Sequence, residues 1–432
     1  VRGRSIGIAV TGWLLACGGA QVRPEPAPAA PAEAAAPQAP AQAAAAAQEA
    51  GTPQEEAAPQ DEALRRQQAE QAERAAREVA AGLRGGASPE EARNRLLALV
   101  QGGSDSAIAR YNLAVAEIRL GNPVAAAEHA WKAVEMSGGA ARALEVARAA
   151  FLRASRIGEL ADRLEALSRS LPDQDALRLA LADALVLANR PSDALREATE
   201  VLRKDETRVD AMVIIARAYL AMKRLDAAEY VAVQALEVRK DDPRALAVLG
   251  HVAWHKGDAK RAMALYQESL KRDPEQPEVQ NNLSVLYQDA GDPAAAQQAA
   301  SEALRLDPAY REAWINLGNA RRVLRDMPAA IAAYQEALRL DPDCAECEFN
   351  LGVSEMENRP PEQDEPLHWR RAIEHLSRYR ALRRGQVRAE PALDSYLDEA
   401  RRNADFLEKE QERLRQAPAP STDASEKGGT SP

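Results

Sequence analysis

Few residues in this chain have types and spacings that could do chemistry. Its 432 residues hold three cysteines and five histidines. Cys344 and Cys347 stand in the run C-A-E-C, a spacing that suits a local disulfide in an oxidising compartment. Free thiols and metal or redox work are the other readings of that run. Redox catalysis calls for a βαβ setting, which the flanking sequence lacks. Zinc would have to recruit His368 and His375, whose seven-residue step is not a usual ligand spacing. Three amides form the more telling set. Asn282, Asn316 and Asn350 each open an N-L-[GS] triplet, 34 residues apart. An amide is donor and acceptor at once, so such a row could pair with an extended peptide backbone of any sequence. The other reading is that asparagine simply suits this slot. Asn281, Asn319, Arg322, His251, Trp254 and His255 fall on or beside the same face. There Trp254 with its two histidines reads as local packing or as part of a ligand site. The phosphate loop G-x-x-x-x-G-K-[ST], the nucleophile elbow G-x-S-x-G and the zinc motif H-E-x-x-H do not occur. No enzyme activity, cofactor, metal or small-molecule substrate is therefore expected.

The elements that position these residues must be helices. Apolar residues make up 46% of the chain but aromatics only 4%, so alanine and leucine carry the core. Both favour helix over strand. The length allows two or three ordinary domains or one long repeat array. A net charge of −10 weighs against nucleic acid as a partner, which calls for a basic patch. Lysine supplies only nine of the 56 basic residues and arginine the rest, a bias of GC-rich coding.

The third cysteine, Cys17, sits in "TGWLLACGGA" (residues 11–20). Arg2 and Arg4 precede a ten-residue apolar run, Ile6 to Leu15, which is too short to span a bilayer. Charged, apolar and then small residues are the layout of a secretory signal. Leu14-Leu15-Ala16-Cys17 resembles the lipobox of bacterial lipoproteins. That resemblance implies a signal over 1–16, cleavage before Cys17, and acyl chains on its sulfur and its new amine. Two or more such chains make a stable anchor. Gly18, where an aspartate would mark inner-membrane retention, resembles the outer-membrane default. Residues 17–60 are rich in Ala, Pro, Gln and Glu, with no large apolar residue after Val22, and read as a disordered tether.

From residue 61 to 390 the chain repeats itself. In the segment beginning at Arg311, Trp314, Leu317 and Gly318 give W-x-x-L-G, followed by Ala330, Tyr334, Ala337 and Pro342. Stepping back by 34, the Gly318 slot becomes Ser284, Gly250, Ala216, Ala182, Arg148 and Ala114. The Ala330 slot becomes Ala296, Ala262, Ala228, Ala194, Leu160 and Ala126. Copies start near 107, 141, 175, 209, 243, 277 and 311, with degenerate ones near 73 and 345. The copy at 141 is the weakest, with Arg148 and Leu160 in the small slots. This pattern resembles the tetratricopeptide (TPR) repeat. It implies an all-α, right-handed superhelical solenoid of about eight to nine two-helix repeats. Small residues let paired helices approach, prolines such as Pro274, Pro308 and Pro342 end each repeat, and the first helices line the concave wall. After Asn358 the run "RPPEQDEP" adds eight residues and reads as an exposed loop. Residues 391–415 read as an amphipathic capping helix, with Leu393, Tyr396, Leu397, Ala400 and Ala404 on one stripe, and 416–432 as a disordered tail.

Lipobox, tether and groove together imply a non-catalytic scaffold, lipid-anchored to the outer membrane and facing the periplasm, that binds protein partners of an envelope machine. The layout resembles TPR lipoproteins of type IV pilus assembly, of peptidoglycan hydrolase control and of myxobacterial adventurous gliding. The arginine- and alanine-rich composition favours the last. The lysine–asparagine pair of chaperone-binding TPRs does not appear, which disfavours capture of a free C-terminus.

Overall fold

The computed structural model describes residues 70–71, 73–82, 85–358, 365–384 and 391–416. The chain divides into two units, Val1–Gln71 and Ala72–Pro432, and everything below concerns the second. The expected signal, Cys17, the tether and residues 417–432 of the tail lie outside the described residues.

Among the described residues there are helices and no strands. In chain order they are α1 (73–82), α2 (Pro89–Gln101), α3 (Ala107–Arg119), α4 (Pro123–Ser137), α5 (Ala141–Arg153) and α6 (Ile157–Ser170). Then come α7 (Asp175–Leu187), α8 (Pro191–Lys204), α9 (Val209–Ala221), α10 (Leu225–Val238), α11 (Pro243–His255) and α12 (Ala259–Arg272). The series ends with α13 (Pro277–Asp289), α14 (Pro293–Leu306), α15 (Arg311–Val323), α16 (Met327–Leu340), α17 (Ala345–Glu357), α18 (Glu365–Leu382) and α19 (Pro391–Gln416). From α3 to α17 the odd-numbered helices start 34 residues apart.

Local signals set these boundaries. Asp258, Asp292 and Asp326 each precede a second helix and accept a hydrogen bond from its third backbone N–H, satisfying a donor the helix leaves orphaned. Proline opens α4, α8, α11, α13 and α14, where its missing N–H costs nothing. The turn inside each hairpin needs one left-handed residue. Gly121, Ser155, Asn189, Lys223, Gly257, Gly291 and Arg325 all have positive φ, and all occupy the same slot of the 34-residue period. Glycine adopts that conformation freely; the other four residues adopt it at a cost.

Adjacent helices pack antiparallel, and the apolar faces merge from one hairpin to the next. The first helices α3, α5, α7, α9 and α11 also touch in succession, as do α13 and α15, whereas successive second helices do not approach in this way. A stack that is tight on one side and open on the other must curve, so the first helices line the inside. The curl brings Arg153, at the end of α5, to Asp307, just past α14, with Nη2 2.6 Å from Oδ1.

Packing within the hairpins depends on a pair of positions 16 residues apart. Gly250 faces Tyr266, and Gly318 faces Tyr334: a methyl group on either glycine would lie 2.5 Å from a ring carbon. Gly352 likewise faces Leu376, the equivalent position after the eight-residue insertion. Where the first position is Ser284 or Ala216, the partner position holds Ala300 or Ala232. The small residue thus makes room for a large partner side chain as well as bringing helices together. The hairpin of α5 and α6 breaks this rule, pairing Arg148 with Leu164 and placing Leu160 in an alanine slot; its helices approach least.

At the C-terminal end, Leu393, Leu397, Ala400 and Ala404 of α19 are buried against α18, and Tyr396 is half-buried. Of the loop expected over 359–366, the last two residues are helical instead. Glu365 and Pro366 already form the first turn of α18, where proline is tolerated. Residues 359–364 lie outside the described residues.

Candidate functional site

The inner wall carries polar side chains that bond from one repeat to the next. Asp183 of α7 pairs with Arg217 of α9, and Arg148 of α5 approaches the same carboxylate at 3.7 Å. Asp210 of α9 takes Arg244 of α11 at 2.7 Å. His251 of α11 receives the Asn282 amide of α13 on Nε2 at 2.8 Å. Asn316 of α15 donates to Asn281 Oδ1 at 2.8 Å, and Arg322 reaches Glu357 of α17 at 3.4 Å. The 34-residue period therefore produces ties between repeats along the surface a partner would meet.

These ties change the standing of the asparagine row. Asn282 and Asn316 each spend an amide proton on the preceding repeat. Asn350 is half-buried and has no side-chain hydrogen bond among the described residues. Asn319 is engaged differently, accepting from the Tyr334 hydroxyl at 2.7 Å.

His251 is fixed in one tautomer. Its Nδ1 lies 2.8 Å from the carbonyl oxygen of Ala247, an acceptor, so Nδ1 carries the proton and Nε2 accepts from Asn282. Burial pushes its pKa down to about 4, against the opposing effect of the Ala247 bond, so the ring is neutral at pH 7. Its ring and that of Tyr266 stand nearly perpendicular, with centroids 5.3 Å apart. Trp254 packs half-buried on a cluster containing Ala262, Tyr266 and Val279, which favours the packing reading. His255 is exposed.

Cys344 and Cys347 form a disulfide with Cα atoms 5.3 Å apart. Cys344 also caps α17, accepting the Cys347 N–H on its sulfur at 3.1 Å. Both thiol positions are buried beside Ile315, Tyr334 and Leu351. His375 bonds through Nδ1 to Glu348, a fully buried carboxylate of α17, at 2.6 Å. Arg378 lies 3.1 Å from that carboxylate's other oxygen. His368 is buried beside Trp369, so the two histidines serve separate packing contacts. No cluster of potential metal ligands occurs among the described residues, and no helix there is long and apolar enough to cross a membrane.

Comparison with known proteins agrees with this architecture. A family model for the tetratricopeptide repeat matches residues 83–141, 179–232, 215–277 and 282–345, just over half of the chain. No curated protein sequence matches. Among solved structures, the chain is similar to the APC/C hetero-tetramer Cut9-Hcn1, at 19% identity and a TM-score of 0.50. That match covers 72% of this chain and spans 59% of the other. Weaker similarity extends to YrrB, described as a TPR protein with an unusual peptide-binding site (18% identity, TM-score 0.37, 44% of this chain and 93% of that one). MamA is also similar (16% identity, TM-score 0.32, 38% and 96%). Helix pairs at a strict 34-residue step, small residues facing large partners, and the family match lead to one conclusion: the chain belongs to the tetratricopeptide repeat family.

Proposed function

We propose that this protein is a non-catalytic scaffold that binds protein partners along the inner wall of its solenoid. A lipid on Cys17 holds it to the outer membrane, with the repeats in the periplasm as part of an envelope machine. The observation that carries the binding reading is the wall itself. First helices α13, α15 and α17 present Asn282, Asn316 and Asn350 at one slot of the 34-residue period, and Asn350 has no side-chain hydrogen bond among the described residues. The anchor reading rests on Leu14-Leu15-Ala16-Cys17 and the Ala/Pro-rich stretch after it. Among envelope machines we favour gliding motility, on the composition and on the order of lipobox, tether and repeats.

The test is a pull-down from detergent-solubilised envelopes with tagged wild-type chain and with Asn350→Ala. This variant leaves the inter-repeat ties intact, so helicity should not change while partner recovery falls. Unchanged recovery would remove Asn350 from the binding wall. In parallel, Cys17→Ser should shift the protein from the membrane to the soluble fraction, and continued membrane recovery would sink the anchor.

A further inference from the structure

The weakest repeat contains a cavity that fits a specific ligand group. Between first helices α5 and α7, on the inner wall, lies an open cavity of about 210 Å³. Its floor is Leu160 and Leu164 of α6, its sides include Leu144 and Ala180, and its rim carries Glu145, Arg148 and Asp183. The cavity follows from the sequence. Elsewhere a small residue in the first helix meets a complementary partner in the second. Here Arg148 stands opposite Leu164, and Leu160 replaces an alanine, so α5 cannot settle onto α6. The alanines of α7 leave the resulting gap unfilled.

The gap also cannot close by moving α6, which is tied to the preceding hairpin. Arg156, just before α6, and Arg163 of α6 both reach Glu128 of α4, at 2.8 and 3.3 Å. The Arg163 guanidinium lies over the rings of Trp131 and Phe151, 5.6 and 5.4 Å from their centroids. Contacts of this kind over aromatic faces are attractive.

We propose that this cavity seats one leucine- or phenylalanine-sized side chain of an extended partner segment, whose neighbouring residue offers a carboxylate to Arg148. The proposal rests on the partner-binding reading of the inner wall and names the chemistry the wall selects. Size supports it: cavities of roughly 150 Å³ already hold a benzene ring, while small-molecule sites run to about 300–1,000 Å³. Charge supports it too. Asp183 is shared between two guanidiniums, with the nearer contact going to Arg217. Arg148 therefore stays half-exposed, and it is the cation that lines the cavity. Glu145 makes no ion pair among the described residues and sits on the same rim, so it opposes a second acidic residue. The fitting segment carries a single acid beside its apolar anchor, and a polyacidic run does not fit.

A displayed library of random ten-residue peptides, selected on the purified full chain, tests this. The expected consensus is one large apolar residue next to one Asp or Glu. Affinity of the selected peptides should fall about tenfold or more in Ala180→Leu, which fills the cavity, and in Arg148→Glu. It should persist in Arg148→Lys. Circular dichroism checks that each variant folds; should Ala180→Leu fail to fold, the rim substitution Arg148→Glu carries the test. A consensus lacking an apolar residue, a basic consensus, or selected peptides that bind both variants unchanged overturns the cavity proposal and leaves the binding wall standing. If the wild-type chain enriches no peptide, the wall reading falls, and this proposal with it.

Discussion

Replacing Gly318 by alanine sets two known effects against each other. The helix gains about 1 kcal/mol of intrinsic propensity. The new methyl carbon, however, would lie 2.5, 2.7 and 2.8 Å from Cε1, Cδ1 and Cζ of Tyr334. Ordinary carbon contacts are about 3.5–4.0 Å, so the ring must retreat by roughly an ångström. Tyr334 is fully buried, and its hydroxyl is held by Asn319 at 2.7 Å. Overpacking of this kind costs about 1–3 kcal/mol, and loosening the hydroxyl bond about 1 kcal/mol more. The expected net loss is about 1–3 kcal/mol. Urea unfolding followed by circular dichroism measures it as a lower midpoint. Tyr334→Ala alone should cost about 3–5 kcal/mol through the cavity it leaves. The double variant recreates the alanine pair seen at Ala216 and Ala232, so it should be less damaging than the two single effects added together, by about 1 kcal/mol. A raised or unchanged midpoint for Gly318→Ala would refute the steric reasoning and leave propensity as the dominant effect.

Other substitutions test other parts of the frame. Arg325 holds positive φ with no ion pair among the described residues, so Arg325→Gly should raise the unfolding midpoint by the equivalent of about 0.5–1 kcal/mol; a lower midpoint would contradict the turn argument. His251 has a folded pKa of about 4, below its usual 6.5. Its contribution to stability is therefore complete above pH 6.5 and is lost as pH falls toward 4. His251→Gln should flatten the stability profile in that window, and an unaltered profile would count against a buried neutral ring. Arg153→Glu should expand the particle in small-angle X-ray scattering, with Asp307→Arg in the same chain restoring the compact form. Equal radii for all three proteins would show that the pair does not hold the curl.

The period and the pairing of helices were legible because each repeat restates them. Seven copies of one spacing outweigh the weak signal of any single helix, even where Arg148 and Leu160 break the pattern. The left-handed turn slot was harder to see: glycine marks it at Gly121, Gly257 and Gly291, but Ser155, Asn189, Lys223 and Arg325 hide it. The asparagine row was visible as a row. Its bonds were not, because they depend on which neighbour stands one position off, as Asn281 does beneath Asn316. The loop expected before α18 ran two residues too far, because the first helical turn accommodates Pro366. Contacts such as Arg153 with Asp307 arise from small rotations summed over several repeats, and no local pattern encodes that sum.

The Arg153–Asp307 contact gives the array a mechanical property. A load passing from one end of the solenoid to the other has a short route from α5 to the end of α14, through one ion pair. The hairpins between those points are bypassed while the pair holds, and they take up tension only after it parts. A partly exposed pair is worth about 1 kcal/mol or less, so the shunt opens under gentle pulling, well before any helix unravels. The array then behaves as a spring with two rest lengths, and an early extension step, absent from Arg153→Glu, would mark the change in single-molecule stretching.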